Sequence, residues 1–170
     1  MKHTVSKQDF ALLVRQNAAQ VIDFACRLLH SREDAEETAQ DAFVKAFRQL
    51  DTFRGEATLL TWLLRITYNE ALNRLRRQPP HTVDISDMHI ADTADDEAPL
   101  NREERIERLE KAIGHLPPND QLLLHLYYYD DRPLRDIAYI MDAPANALAV
   151  RLHRIRKRLQ GMIKTDSNEQ

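Results

Sequence analysis

The sequence has few glycines, one cysteine and no long apolar run, and each scarcity excludes a class of protein. Three glycines in 170 residues cannot build a Gly-rich phosphate-binding loop. Abundant Leu, Ala, Arg and Glu favour helix instead. The single cysteine, Cys26, excludes an intramolecular disulfide, and its apolar neighbours predict a buried thiol rather than a nucleophile. No apolar run reaches the length of a membrane span, so we expect no membrane insertion.

Features of an enzyme or of a secreted protein are also scarce. The first residues, Met1 to Thr4, lead into a polar helix rather than into the apolar part of a signal peptide, and the lone cysteine fits a cytoplasmic protein. Seven histidines show no ligand spacing, so we expect no metal and no cofactor. Acidic pairs such as Asp95-Asp96 lie where nothing would fix their geometry, so we expect no catalytic residue.

The charge of the chain is unevenly distributed around a formal net value of −3. Residues 1–80 contain 12 basic and 10 acidic residues, and residues 111–170 contain 9 and 7. Residues 81–110 contain 3 basic and 10 acidic residues. Two mildly basic ends are therefore joined by a strongly acidic middle, a composition typical of a flexible tether.

Hydrophobic periodicity predicts an all-α protein with two small helical domains and a flexible acidic linker. Pro79-Pro80 ends the first helical region, whose third helix we place from about Leu59 to Arg77. Helix resumes near Asn101, a plausible N-cap, and Pro117-Pro118 ends it. The predicted boundaries are a first domain at 1–80, a linker at 81–110, a second domain at 111–164 and a disordered tail at 165–170.

The last long helix, predicted from Leu148 to Leu159, is apolar on one side and cationic elsewhere. A short helix over Leu134–Met141 precedes it, and Asp142-Ala143-Pro144 separates the two. Short helix, tight turn and basic helix form the layout of a helix-turn-helix reader of the DNA major groove. The alternative for an isolated helix is a solvated basic face, and the preceding helix and turn favour DNA.

The third helix combines arginines, which hold phosphates, with Trp62 and asparagines, which can stack on bases or read their edges. This combination suits melted DNA, although Trp62 could equally be a core residue and the arginines a solvated helix end. The preceding loop, Phe53–Thr58, could accept an extruded base or could be an ordinary connection. On the second helix, acidic and amide side chains could dock a basic partner or could simply be solvated.

Several strings of the sequence, in their order along the chain, resemble one family. The chain is similar to the extracytoplasmic-function sigma factors, which are small promoter-recognition subunits of bacterial RNA polymerase. The resemblance covers nearly all of residues 6–162, and the strings that carry it are Glu33–Phe43, Phe53–Glu56, Thr61–Ile66, Leu116–Pro118 and Arg151–Leu159.

The resemblance implies that the protein binds core RNA polymerase and two elements of promoter DNA. Residues matching the polymerase-binding positions are Glu37, Gln40 and Asp41. Residues matching the region that melts the −10 element and captures an unpaired base are Arg54, Thr58, Trp62, Arg65, Asn69, Asn73, Arg76 and Arg77. Residues matching the helix that reads the −35 duplex are Asn146, Ala147, Ala149, Val150, Arg151, His153, Arg154, Lys157 and Arg158.

The same resemblance implies an anti-sigma factor as a further partner and a linker that threads the polymerase cleft. This chain departs from the family at its turn, where Asp142 replaces a common Gly. It also departs at Ala147, Ala149 and Val150, where polar residues are common, so the promoter sequence does not follow from the resemblance. We also hypothesise that the acidic linker folds onto the basic Arg151–Arg158 helix in the free protein.

Two other functions compete with the sigma-factor interpretation. One is an autonomous helix-turn-helix regulator whose first domain senses a signal or dimerises. Such regulators normally bind as symmetric dimers, and nothing in the sequence suggests a dimer seam. The other is a protein-interaction module whose basic helix meets an acidic partner.

Overall fold

The computed structural model describes residues 5–78 and 101–166, in which all regular structure is helical. This confirms the all-α prediction. The helices are α1 Lys7–Leu29, α2 Arg32–Arg48, α3 Leu59–Arg77, α4 Arg102–Gly114, α5 Pro118–Leu124, α6 Leu134–Met141 and α7 Ala145–Asp166. A 3₁₀ turn, Leu50–Thr52, follows α2, and α5 continues into a π-helical turn, His125–Tyr129.

Helices α1 to α3 pack into the first bundle, and each of them begins at a hydroxyl N-cap. Ser6 and Asp9 form a reciprocal capping box at α1, Ser31 accepts from the Asp34 amide, and Thr58 accepts from the Thr61 amide at 3.1 Å. Helix α2 presents small side chains to its neighbours, which allows close helix approach. Its fully buried alanines are Ala35, Ala39, Ala42 and Ala46.

Helices α4 to α7 form the second bundle around a leucine- and isoleucine-rich core. Helix α5 begins at Pro118, because proline is well tolerated in the first turn of a helix. Helix α7 extends beyond the predicted Leu148–Leu159, since Met162 and Ile163 continue its apolar stripe onto the core. The core side chains include Leu122, Leu123, Leu126, Ile137, Ile140, Leu148 and Leu152.

The predicted linker and tail fall partly outside the described residues. Residues 81–100 of the linker lie outside them, and residues 102–110 form the first turns of α4, capped by Asn101 as expected. Helix α7 continues to Asp166, and the rest of the predicted tail, 167–170, lies outside. The hypothesis that the linker covers α7 therefore stays a hypothesis.

The second bundle packs against the first, with α6 on α3 and α5 on α1. A cleft of about 570 Å³ remains between α1 and the α4–α5 side. Cys26 lines this cleft and is half-buried, so the prediction of a buried thiol was only partly right. Neighbouring apolar residues in the sequence could not reveal that one side of α1 faces an incompletely filled space.

His125 lies at the junction of the bundles, in the π-helical turn. Its ring stacks on Tyr129 with centroids 5.1 Å apart, and its Nε2 lies 3.2 Å from the Asp130 carboxylate. Burial lowers the pKa of His125, the positive charge of Arg27 on α1 lowers it further, and Asp130 opposes both. The folded protein therefore favours the neutral imidazole.

This preference makes stability depend on pH in a defined direction. Because the folded-state pKa of His125 is depressed, its stabilising contribution is complete above the unfolded pKa of about 6.5 and is lost as the pH falls below that value. We expect His125→Gln to reduce the loss of unfolding free energy on acidification, measured by urea denaturation at neutral and mildly acidic pH. His153→Gln, which removes an imidazole from the exposed side of α7, is the matched control. An unchanged pH dependence in His125→Gln would contradict the assignment.

Candidate nucleic-acid interface

Four of the six predicted −10 residues of α3 form one stripe along the helix. Arg65, Asn69, Asn73 and Arg77 recur every fourth residue, so they lie one above another on a single side. Asn69, Arg76 and Arg77 are exposed, and Asn73 is half-buried. The opposite side of α3 supplies core residues such as Leu63. The structure thus brings these polar side chains together on one face.

The loop before α3 contains Arg54 and ends at Thr58, the N-cap of α3. Gly55 has φ of +74°, a left-handed conformation that suits glycine and lets the chain turn between the helices. Arg54 is exposed. The Thr58 hydroxyl is already engaged, because it donates to the Thr61 hydroxyl at 2.9 Å and caps α3.

Trp62 occupies the core rather than the surface in this conformation. Only 8% of the residue is exposed, and its ring packs edge to face on Phe53 with centroids 5.4 Å apart. The ring therefore offers little free face for a base. This placement favours the core interpretation of Trp62, and its contact with DNA stays a prediction.

Arg65 is engaged by the second bundle. Its Nη2 lies 3.1 Å from the Asp142 carboxylate, and its guanidinium carbon lies 4.8 Å from the centroid of the Tyr139 ring. Both partners come from α6 and the turn that follows it. The predicted phosphate ligand of α3 is thus already paired with a carboxylate.

Helix α7 separates its buried and exposed stripes as the sequence predicts. Leu148, Leu152, Ile155 and Leu159 are each at least 92% buried. We call the opposite exposed side the reading face. Its residues are Asn146, Ala147, Ala149, Val150, His153, Arg154 and Lys157.

Two other cations of α7 have partners within the second bundle. The Arg151 Nε donates to the Asp120 carboxylate at 2.5 Å, and Arg156 donates to the Tyr128 hydroxyl at 2.7 Å. Arg158 is half-buried. Asp120 and Tyr128 had no signal in the sequence, because they lie about 30 residues away from the arginines that they hold. Arg154 and Lys157 are therefore the most exposed cations of the predicted set on this face.

The predicted polymerase-binding residues, Glu37, Gln40 and Asp41, are all exposed on α2. Glu37 is also part of an ion-pair cluster with α3, since Arg74 Nη2 lies 2.6 Å from its carboxylate and 2.8 Å from that of Asp34. The hydrogen bond to Glu37, followed by that to Asp34, raises the pKa of Arg74 against the effect of burial. Arg74 lies in the basic last turn of α3, and its two ion pairs join α3 to α2.

The described residues give no sign of a metal site or of a membrane span. No cluster of three or more His, Cys, Asp or Glu side chains among them is arranged to hold a metal ion. None of the helices in the described ranges is long and apolar enough to cross a bilayer.

The fold and the two polar faces define a two-domain, helix-turn-helix DNA-binding protein.

Comparison with known proteins identifies the family. Residues 13–79 match the family model for sigma-70 region 2, and residues 106–159 match that for sigma-70 region 4. The RNA polymerase sigma-H factor of Pseudomonas aeruginosa is 31% identical over 89% of this chain and 84% of its own. The ECF RNA polymerase sigma-E factor of Haemophilus influenzae is 30% identical over 93% and 89%. The chain therefore belongs to the extracytoplasmic-function sigma factors, which direct transcription initiation.

The fold is also that of a solved sigma factor. The co-crystal structure of the sigma factor RpoE with the anti-sigma factor NepR from Bartonella quintana matches with a TM-score of 0.66 and 24% identity. It covers 94% of this chain and 99% of the RpoE chain. An autonomous helix-turn-helix regulator is not favoured, because the chain matches these two sigma factors over 84% and 89% of their own lengths.

The Arg74 cluster yields a prediction that separates Glu37 from Asp41. Glu37→Gln removes one ionic partner of Arg74 and should lower the unfolding free energy of the first bundle by about 0.2–1 kcal/mol, as for other exposed ion pairs. Asp41→Asn, an equal change of charge without that partner, should leave stability unchanged. The single tryptophan, Trp62, reports this unfolding by its fluorescence. Equal effects of the two variants on the unfolding free energy would contradict a stabilising role of Glu37.

Proposed function

We propose that this sigma factor binds core RNA polymerase through the exposed acidic and amide side of α2 and holds promoter DNA at two separate places. Helix α7 would read the −35 duplex, and α3 would hold the melted −10 strand. The observation that supports this most directly is the reading face of α7, which stands exposed after a tight turn and opposite a buried stripe. That is the placement of a recognition helix.

At the −35 duplex, the reading face would combine phosphate and base contacts. Arg154 and Lys157 supply charge toward phosphates. Asn146 at the start of α7 has an amide of the kind that pairs with adenine, although its oxygen also accepts from the Ala147 amide at 2.9 Å. Val150 and the alanines offer apolar contact rather than hydrogen bonds, which suits the methyl group of thymine.

At the −10 element, the α3 stripe would hold a single strand. Arg76 and Arg77 stand exposed near the end of the helix, and Asn69 and Asn73 lie between them and Arg65. Arginine binds phosphates by charge, and asparagine amides can pair with the edges of unstacked bases. The Arg54 loop lies where the strand would pass the N-terminal end of α3.

The charge of the chain explains why a partner is needed. A protein with net charge −3 lacks the overall attraction that would hold DNA tightly by itself. Core polymerase would provide the remaining contacts, and the chain would therefore act in the cytoplasm with the transcription machinery. An anti-sigma factor would restrain it, as suggested by the likeness to RpoE, which was solved with the anti-sigma factor NepR.

Reconstitution with purified core polymerase tests this proposal. The chain should co-purify with core enzyme and support run-off transcription from templates selected out of a genomic fragment library. A triple variant, Glu37→Gln with Gln40→Ala and Asp41→Asn, should lose co-purification while remaining folded. Failure of the wild-type chain to bind core enzyme, or to change its start sites, would refute the proposal.

The salt dependence of promoter binding tests the reading face. If Arg154 holds a phosphate, Arg154→Ala should weaken binding of all sequences by the reconstituted holoenzyme and flatten the plot of log affinity against log salt by about one unit. Arg151→Ala should flatten it less, because Arg151 already pairs with Asp120. Lys164→Ala, on the exposed end of α7, is the control and should have no effect. An unaltered slope in Arg154→Ala would show that Arg154 is a solvated surface residue and holds no phosphate.

A further inference from the structure

We propose that the packing of α6 against α3 is an autoinhibited state of the free chain, in which Asp142 takes the place of a DNA phosphate on Arg65. We call this packing, with the ion pair at its centre, the α3–α6 contact. The proposal rests on the assignment of α3 to the −10 strand. It adds an intramolecular competitor for that strand, supplied by the second bundle.

The competition follows from the way Arg65 is held. The Asp142 carboxylate approaches the edge of the guanidinium at 3.1 Å, and the Tyr139 ring covers it at 4.8 Å from the ring centroid. Carboxylate and phosphate oxygens bind a guanidinium edge in the same geometry. A phosphate could therefore pair with this edge only after Asp142 leaves, so strand binding and closure exclude each other at Arg65.

Two further hydrogen bonds extend the contact along α3. The Arg132 guanidinium donates to the Thr61 hydroxyl at 3.4 Å, one turn before Arg65. The Tyr68 hydroxyl donates to the Asn119 side-chain oxygen at 3.2 Å, about one turn after it. Thr61, Arg65 and Tyr68 thus form a continuous row on α3 that the second bundle covers. Arg65 belongs both to this row and to the stripe predicted to hold DNA.

The backbone conformation of Asp142 supports a role for its side chain in the ion pair with Arg65. Asp142 ends α6 in the left-handed conformation, with φ of +51° and ψ of +50°. Glycine adopts this conformation without cost, and aspartate and asparagine tolerate it better than other residues. The side chain at this position is therefore not needed for the turn. Its contribution in the structure is the ion pair with Arg65.

The ion pair at the centre of the α3–α6 contact is weak enough to be displaced. The Asp142 side chain is 73% exposed and that of Arg65 is 34% exposed, so solvent screens the pair. Loss of such a pair typically changes an equilibrium by about two- to fivefold. The closed state would then yield when core polymerase and promoter DNA bind the open one.

Removal of the Asp142 charge in the full-length chain tests the proposal. Asp142→Asn keeps a side chain that suits the left-handed backbone and removes the carboxylate. The control is Asp131→Asn, which neutralises another exposed aspartate of the same bundle, also at positive φ (+50°). Spin labels at Asp51→Cys and Gln160→Cys, in a Cys26→Ala background, report the distance between the bundles by pulsed electron resonance. Both labelled positions are exposed.

In the free chain we expect one short distance for the parent protein and for Asp131→Asn. Asp142→Asn should increase the population at longer distances by about two- to fivefold. Asp142→Gly, which relaxes the same backbone, should do likewise if Asp142→Asn folds poorly. Identical distance distributions in the parent, both Asp142 variants and Asp131→Asn would overturn the proposal.

A binding measurement links the conformational change to the −10 surface. A fluorescent single-stranded DNA of mixed sequence should bind the free Asp142→Asn chain more tightly than the parent, and Arg65→Gln should abolish that gain. A gain that persists in Arg65→Gln would overturn the competition at Arg65. Run-off transcription by the parent chain is scored separately. Its absence, together with a shifted distance in Asp142→Asn, would refute the sigma-factor assignment of α3 and leave the contact itself intact.

Discussion

The burial of one side of α3 fixes everything that the first bundle presents to its surroundings. Leu63, Leu64 and Thr67 are almost wholly inside, and burial of each leucine is worth about 1.5–3 kcal/mol. The ion pairs from α2 to α3 are individually worth no more than about 1 kcal/mol. Apolar burial therefore sets the rotation of α3, and pairs such as Lys45–Glu70 at 2.6 Å only refine it. The polar stripe is exposed because burial of the opposite, apolar side of α3 turns it toward solvent.

Apolar burial also sets the rotation of α7. Polar partners in the second bundle then hold some of the cations that this rotation leaves outside the core. Burial of the leucine stripe leaves arginines and lysine on every other side of the helix. Asp120, whose side chain is 14% exposed, holds Arg151, and Tyr128 holds Arg156. A basic helix of this kind is therefore not uniformly basic toward DNA. The cations of the reading face, Arg154 and Lys157, are not among those held by Asp120 and Tyr128.

Patterns local in the chain predicted the helices, and contacts between distant residues could not be predicted in this way. The 3.6-residue period and Pro79-Pro80 predicted the observed bounds of α3, Asn101 marked the start of α4, and Asp142 marked the end of α6. The roles of Arg74, Arg151 and Arg65 each depend on a partner 31 or more residues away. Hydrophobic spacing says which side of a helix is buried. It does not show which carboxylate will pair with an exposed arginine. The packing of the two bundles against each other could therefore not be predicted from the sequence.

Asp142 joins two requirements that are usually met by different residues. Its backbone conformation ends α6 and so sets the direction from which α7 enters, while its side chain reaches α3 in the other bundle. The first requirement is local and is satisfied equally by glycine or asparagine. The second depends only on the carboxylate. Because the two can be separated by substitution, the turn can change how firmly the bundles close without changing how α7 is presented. In the proposed arrangement, the affinity of the predicted −10 surface for DNA would be adjusted from within the helix-turn-helix rather than from α3 itself.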